Sequence, residues 1–281
     1  MNPDSPPKRI LVVEDDAPLR SLLELLLRDA GLSVTGVGTG GEALRQLASS
    51  RFDLALLDIG LPDMSGLEVL ARMPRGAGTR AVVMTADQTP ETLLRAVRQH
   101  AYQYIRKPFH PDVFLAFVRE CLAAPDDPPI EVLSASPEWV ELLVPCTRSA
   151  AERIHAFMRQ MDVSLSDEVR DSVGQAFREL LLNAVEWGGR LDPRRKVRIA
   201  YLRARRMLQY RIADPGPGFR FEGLEHAGCT NPPDDPIRHH QVREERGLRP
   251  GGLGIMIARS LADELLYNEC QNEVILVKYL D

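Results

Sequence analysis

Five times between Arg9 and Leu122 a short apolar run gives way to a segment of helical periodicity, and this alternation leaves few folds open. The apolar runs fall at residues 9–13, 32–37, 54–58, 81–85 and 102–105. The third, Leu54-Ala55-Leu56-Leu57-Asp58, is apolar throughout until it ends on a carboxylate, followed by Gly60 and Pro62. A run so short and bounded by turn residues predicts a strand buried on both faces. The intervening segments read as helices. After the first run, Leu19, Leu22, Leu23, Leu26 and Leu27 form one apolar stripe, and Gly31 stops it. Helices are likewise expected at 41–49, 66–73, 91–100 and 111–122. Strict strand–helix alternation predicts a parallel sheet with helices on both faces. In such sheets, ligands gather at the carboxyl ends of the strands.

Those ends carry a coherent set: Glu14 and Asp15, then Asp58, then Thr85, then Lys107. Three clustered carboxylates repel one another unless a divalent cation sits among them, and hard oxygen ligands suit Mg²⁺. A lysine would balance the charge of a phosphoryl group, and a threonine hydroxyl would donate to it. The pattern points to an aspartyl phosphate with Asp58 as nucleophile.

With these residues in this order, residues 8–123 resemble the response-regulator receiver family. The resemblance implies a flavodoxin-like, doubly wound, five-stranded fold with Asp58 as phosphoacceptor. It makes Thr85 the switch hydroxyl, Tyr104 the switch aromatic and Lys107-Pro108 a cis Lys-Pro pair. It also implies that Asp15, Asp58 and the carbonyl of Gly60 ligate Mg²⁺ directly, with Glu14 acting mostly through water.

Ala123-Ala124-Pro125-Asp126-Asp127-Pro128-Pro129 reads as a semi-rigid spacer. At 281 residues the chain fits two domains. The expected division is 1–123, a linker at 124–130, and 131–281. Beyond the linker, strands are expected at 138–145, 197–202, 208–213 and 273–279. Helices are expected at 148–161 and 252–266, and a long one from a capping box at Ser164-Leu165-Ser166-Asp167 to about residue 187. Helices and antiparallel strands in separate runs suggest an α/β sandwich. Arg203-Ala204-Arg205-Arg206 reads as a solvated hairpin turn.

Three motifs stand out in this half. On the long helix, Glu179, Asn183 and Glu186 fall at i, i+4 and i+7 and are expected on one face. An Asn carbonyl can ligate Mg²⁺, and a Glu one turn earlier can act as a base. Asp214-Pro215-Gly216-Pro217-Gly218-Phe219 closes a strand, where an Asp can accept from an exocyclic amine and glycines let the backbone approach a ligand. Gly251-Gly252-Leu253-Gly254 leads into a helix whose free N–H groups favour a phosphate. In order and spacing the three resemble the ATP-binding domain shared by histidine kinases, gyrase-type ATPases and anti-sigma-factor serine kinases, over residues 130–281. The resemblance implies Mg²⁺-ATP held by Asn183, adenine bound by Asp214, a pocket shaped by Gly216, Gly218, Gly252 and Gly254, and a lid at 220–250. Glu179 and the glycine pair Gly188-Gly189 look like the serine-kinase branch, with Glu179 as base. Trp187 and Pro250 depart from that branch, which usually has His and Arg there. His155 lacks the acidic and proline context of a phosphorylated kinase histidine and reads as a helix-surface residue. His226, Cys229, His239 and His240 fit no zinc spacing, and Pro232, Pro233 and Pro236 suggest a solvated lid.

Composition narrows the partners. The net charge of −5 gives no general pull toward nucleic acid or anionic membrane. No segment is long and apolar enough to span a bilayer, and the N-terminus is polar rather than signal-like. The four cysteines form no C-x-x-C pair, so reduced thiols in a cytoplasmic protein are expected. The two resemblances together imply a two-component response regulator phosphorylated by a sensor histidine kinase. Its output would be an ATP-dependent domain acting on an anti-sigma-antagonist protein or a sigma factor. No DNA and no membrane partner are expected, and a homodimer is open. The alternatives are a nucleotide-dependent interaction module without catalysis, and a histidine-kinase-like fragment.

Overall fold

A computed structural model describes residues 6–74, 78–87, 89–162, 165–220, 238–245 and 253–280, with backbone alone at 239, 240, 242 and 243. Gly252, His226 and Cys229, the zinc-like side chains of His239 and His240, Ser164 and most of the expected lid lie outside the described residues. The chain divides into two compact units, 1–125 and 126–281.

The first unit runs β1 (Arg9–Val13), α1 (Ala17–Asp29), β2 (Ser33–Val37), α2 (Gly40–Ser49), β3 (Leu54–Asp58), α3 (Gly66–Arg72), β4 (Arg80–Thr85), α4 (Pro90–Arg98), β5 (Gln103–Arg106) and α5 (Pro111–Ala123). The strands are parallel in the order β2-β1-β3-β4-β5. Burial explains why the strand runs lack alternation. Ile10, Val12, Leu54, Leu56, Val82 and Met84 share one core with Leu23 and Leu27 of α1 and Phe114 and Val118 of α5. Their neighbours of opposite parity, Leu11, Val13, Ala55, Leu57 and Val83, are buried as well. Each fully buried Leu or Phe contributes about 1.5–3 kcal/mol. Side-chain caps start the helices: Asp16, Thr39 and Ser65 accept from Leu19, Glu42 and Leu67 N–H groups. The strand order reverses direction between β1 and β3, so Glu14, Asp15 and Asp58 meet at one crevice.

The second unit runs β6 (Glu131–Ala135), β7 (Trp139–Pro145), α6 (Arg148–Met161), α7 (Asp167–Asn183), a π-helical turn (Ala184–Gly188), β8 (Lys196–Ala204), β9 (Met207–Ala213), α8 (Arg238–Glu245), α9 (Gly254–Leu261), β10 (Glu264–Tyr267) and β11 (Glu273–Tyr279). Among the described residues its sheet is antiparallel throughout, in the order β10-β11-β9-β8-β7-β6. Ile154, Phe157, Met158 and Met161 of α6 and Val173, Phe177 and Leu180 of α7 are buried with sheet residues Leu142, Ile199, Tyr201, Tyr210, Ile212 and Leu276. The Phe177 and Tyr210 rings meet at 4.5 Å. Both tyrosine hydroxyls, of Tyr201 and Tyr210, donate to the buried carboxylate of Asp162 at 2.9 and 2.8 Å.

Several expectations are corrected. The long helix starts at Asp167 with Ser166 rather than Ser164 as its N-cap, the Ser166 hydroxyl accepting from Val169 N–H, and it runs on into the π-helical turn. The helix expected to 266 stops at Leu261, and Glu264–Tyr267 is a strand hydrogen-bonded to β11. Strand β6, on the sheet edge, was not expected at all. His155 is half-buried on α6 rather than at the surface, and burial lowers its pKa. The arginine cluster does form the β8–β9 turn.

Candidate functional site

In the first unit, β1 and β3 deliver Glu14, Asp15 and Asp58 so that one ligand atom from each lies within 4.8 Å of the others. Glu14 is 1% exposed and Asp58 8%, while Asp15 faces solvent. Lys107, just after β5, donates from Nζ to Glu14 Oε2 at 2.6 Å and to Asp58 Oδ1 at 2.7 Å. Asp58 Oδ2 accepts from the Gly60 N–H at 3.2 Å. The Lys107-Pro108 bond is cis, as the resemblance implies. Burial, followed by the charges of Asp58 and Asp15, outweighs Lys107 and raises the Glu14 pKa. Burial alone would lower the Lys107 pKa, but its hydrogen bonds to Asp58 and Glu14 hold it above the ordinary value. One cation against three carboxylates leaves negative charge in surplus, so the donor set fits a hard divalent cation.

The two switch residues take contrasting positions. The Thr85 hydroxyl accepts from Asp87 N–H at 2.9 Å and donates to the Asp87 carbonyl at 3.1 Å, closing a local turn. The Tyr104 ring is buried, and desolvation pushes its pKa up.

In the second unit a cavity of about 550 Å³ is lined by Glu179, Asn183, Asp214, Gly216, Gly218 and Gly254, which the sequence motifs singled out. That is an ordinary size for a small-ligand site. Asp214 ends β9, and its Oδ1 accepts from the Gly216 N–H at 2.7 Å. Burial raises the Asp214 pKa against the opposing effects of that N–H and of Arg195. The end of the π-turn lies against it: a Cβ on Gly188 would fall 2.1 Å from Asp214 Oδ1. Gly218 has φ +84°, and a Cβ there would fall 1.6 Å from the Cys270 carbonyl oxygen. Helix α9 begins at Gly254 with no side-chain cap on its first N–H groups.

Glu186 does not join the pocket. The π-turn takes about one extra residue and breaks the i, i+4, i+7 face, so Glu186 instead accepts from Arg148 Nε at 2.9 Å. Trp187 lines the pocket and is 47% exposed. Phe219, the last residue of the Asp214 motif, lines it too, whereas the sequence motifs missed Tyr267, Gln271 and Asn272. These three come from the β10–β11 hairpin, which the expected helix had hidden. Asn272 ties that hairpin to the Asp214 loop: its carbonyl accepts from Asp214 N–H at 2.8 Å and its Nδ2 donates to the Gly216 carbonyl at 3.1 Å.

Residues 10–119 match the response regulator receiver domain family, and residues 144–278 match the histidine kinase-like ATPase domain family. The DNA-binding response regulator MtrA of Mycobacterium leprae (strain TN) is 34% identical over 184 residues, covering 65% of this chain and 80% of that protein. The chain belongs to the response-regulator family. MtrA of Mycobacterium tuberculosis (strain H37Rv) is 34% identical to this response regulator over 188 residues, 66% of the chain and 81% of the relative. The DNA-binding transcriptional regulator NtrC of Escherichia coli (strain K12) is 36% identical over 115 residues, 41% of this chain and 24% of NtrC. Among solved structures, a CheY-like receiver from Methanospirillum hungatei JF-1 is similar at 33% identity and a TM-score of 0.41, covering 42% of this chain and 94% of that one. This response regulator thus pairs a receiver domain with a domain of the histidine kinase-like ATPase superfamily, to which the anti-sigma serine kinases also belong. Among the described residues no helix is long and apolar enough to cross a membrane.

Proposed function

We propose that this response regulator is phosphorylated on Asp58 by a sensor histidine kinase and that phosphorylation controls an ATP-binding output domain of the anti-sigma serine-kinase type. The observation that carries the first half is Lys107 Nζ bridging Asp58 and Glu14 at 2.7 and 2.6 Å beside Asp15. A carboxylate oxygen of Asp58 attacks the phosphorus of a donor phosphohistidine, the P–N bond breaks, and the imidazole leaves with a proton. Lys107 remains to pair with the charge of about −1.5 to −2 that phosphorylation brings. Mg²⁺, held by Glu14, Asp15, Asp58 and Gly60, would neutralise the phosphoryl oxygens. Thr85 leaves its turn with Asp87 to donate to the new group. Tyr104, the switch aromatic, is already buried, and phosphorylation holds it there.

The second half rests on the cavity that gathers Glu179, Asn183, Asp214, Gly216, Gly218 and Gly254. Asp214 accepts from the adenine amine, Asn183 holds the ATP-bound Mg²⁺, and the uncapped start of α9 receives phosphate. Glu179 acts as base toward a Ser or Thr hydroxyl of a partner protein. The MtrA and NtrC relatives are named as DNA-binding. Residues 144–278 of this chain match an ATPase family instead, which favours nucleotide as the ligand of the output domain.

The test is twofold. A small-molecule phosphodonor such as phosphoramidate with Mg²⁺ should add one phosphoryl group to the wild-type chain and none to Asp58→Asn, read by mass spectrometry. The Glu179→Gln variant should bind ATP as the wild type does and lose γ-phosphate transfer. Failure of the wild type to transfer phosphate to any candidate anti-sigma antagonist, with ATP still bound, would favour an interaction module.

A further inference from the structure

The loop between β3 and α3, residues 59–65, leaves Asp58 and returns to it. At its start the Gly60 N–H donates to Asp58 Oδ2 at 3.2 Å. At its end the Gly66 N–H donates to the Ile59 carbonyl at 3.1 Å, and a Cβ on Gly66 would fall 1.9 Å from the Asp58 carbonyl oxygen. A movement of this loop is therefore a movement of the surroundings of Asp58.

The middle of the loop is fastened to a different element. Asp63 Oδ1 accepts from the Gly40 N–H and Oδ2 from the Gly41 N–H, both at 2.8 Å. These are the first two N–H groups of α2, which a helix cannot satisfy from within. Thr39 caps the third, that of Glu42. A carboxylate suits the place, since it offers two acceptors and a negative charge to a helix N-terminus. The Gly41 and Gly40 N–H groups hold the Asp63 carboxyl below the usual carboxylate range, so the clamp is ionised at neutral pH. Gly40 lets the loop come close, because a Cβ there would fall 2.4 Å from Met64 Cγ.

We propose that Asp63 is a positioning residue of the phosphoryl site, bolting the β3–α3 loop to α2 so that Gly60 stays against Asp58 when Mg²⁺ binds. The proposal rests on the Mg²⁺ reading given above, in which Asp58 and Gly60 are ligands. Asp63 itself stays on α2 and acts through the loop. It removes the freedom of that segment before the cation arrives. A loop left free has to be ordered on binding, and the ordering weakens affinity. Supporting contacts around a metal site are typically worth about 10–100-fold in metal affinity.

The experiment compares the full-length wild type with Asp63→Ala and Asp53→Ala, all without nucleotide. Asp53 is the matched control. It precedes β3 at the opposite end from Asp58 and also accepts two hydrogen bonds, from Lys8 Nζ at 2.7 Å and from the Arg9 N–H at 2.8 Å. In chelator, amide hydrogen exchange of residues 59–65 should be faster in Asp63→Ala and unchanged in Asp53→Ala. Mg²⁺ titration, followed by the Gly60 amide signal in nuclear magnetic resonance, should give a Kd about tenfold weaker in Asp63→Ala. Asp53→Ala should keep the wild-type Kd even where it melts at a lower temperature. Loop exchange or an Mg²⁺ Kd unchanged in Asp63→Ala, or a Kd weakened as much in Asp53→Ala, overturns the positioning role and leaves the cation site standing. A wild type whose Gly60 signal does not respond to Mg²⁺ overturns the cation reading itself.

Discussion

Asp162 shows how single side chains hold the second unit together. Two buried tyrosine hydroxyls end on its carboxylate. Asp162→Ala strands both, and it should lower the stability of the chain by roughly 2–5 kcal/mol, measured by denaturant unfolding. Glu14 is the counterpart in the first unit, and its effect follows from linkage. Its folded pKa is raised, by burial first and then by Asp58 and Asp15. The folded state therefore binds the proton more tightly than the unfolded chain. Without a divalent cation, stability should fall as pH rises from the ordinary value near 4.3 through the raised folded value. Thermal melts between pH 4 and 7.5 in chelator should show that decline, Mg²⁺ should reverse it at pH 7.5, and Glu14→Gln should flatten it. At this scale the sequence was legible wherever chemistry demanded a residue type. Asp58, Lys107, Asn183 and Asp214 stand where their motifs imply. Asn272 was not legible, because an asparagine in a turn has no motif and its meaning comes from its hydrogen bonds to the Asp214 loop.

Elements were readable where periodicity was strong and misread where tertiary pairing overrode it. The five parallel strands are buried on both faces, so their apolar runs announced them. Strand β6 is an edge strand with exposed Leu133 and Ser134, and nothing in Glu-Val-Leu-Ser-Ala marks it. Strand β10 continues the apolar pattern of α9, and only pairing with β11 makes it extended. The π-turn is invisible to a 3.6-residue period, yet it sends Glu186 to Arg148 and brings Gly188 against Asp214. Gly188→Ala would drive a Cβ into that carboxylate, so it should weaken ATP binding at least tenfold in calorimetry while far-UV circular dichroism stays native. Arg80, at the start of β4, clamps the end of α5: it donates to the Ala124 carbonyl at 2.7 Å and to the Cys121 carbonyl, and it lies 5.0 Å over the Tyr102 ring. Arg80→Ala removes partners from the orphan carbonyls of that helix end. It should speed hydrogen exchange in the last turn of α5 and cost about 1–2 kcal/mol.

At the scale of the whole molecule, the chain joins a receiver domain with a three-carboxylate cluster to a domain with a cavity of about 550 Å³. Both halves could be read from ordered motifs, because each site draws residues from several elements and the order itself is informative. What the sequence left dark was the far wall of the cavity, supplied by the β10–β11 hairpin. In the proposed function the state of Asp58 governs nucleotide binding in the second domain. The direct measurement is calorimetric titration of the full-length protein with a non-hydrolysable Mg-ATP analogue, with and without beryllofluoride capping Asp58. One binding site per chain is expected, with a Kd that differs between the two states and a difference that disappears in Asp58→Asn. An identical Kd in both states would contradict the coupling, and no heat of binding in either would contradict the assignment of the cavity.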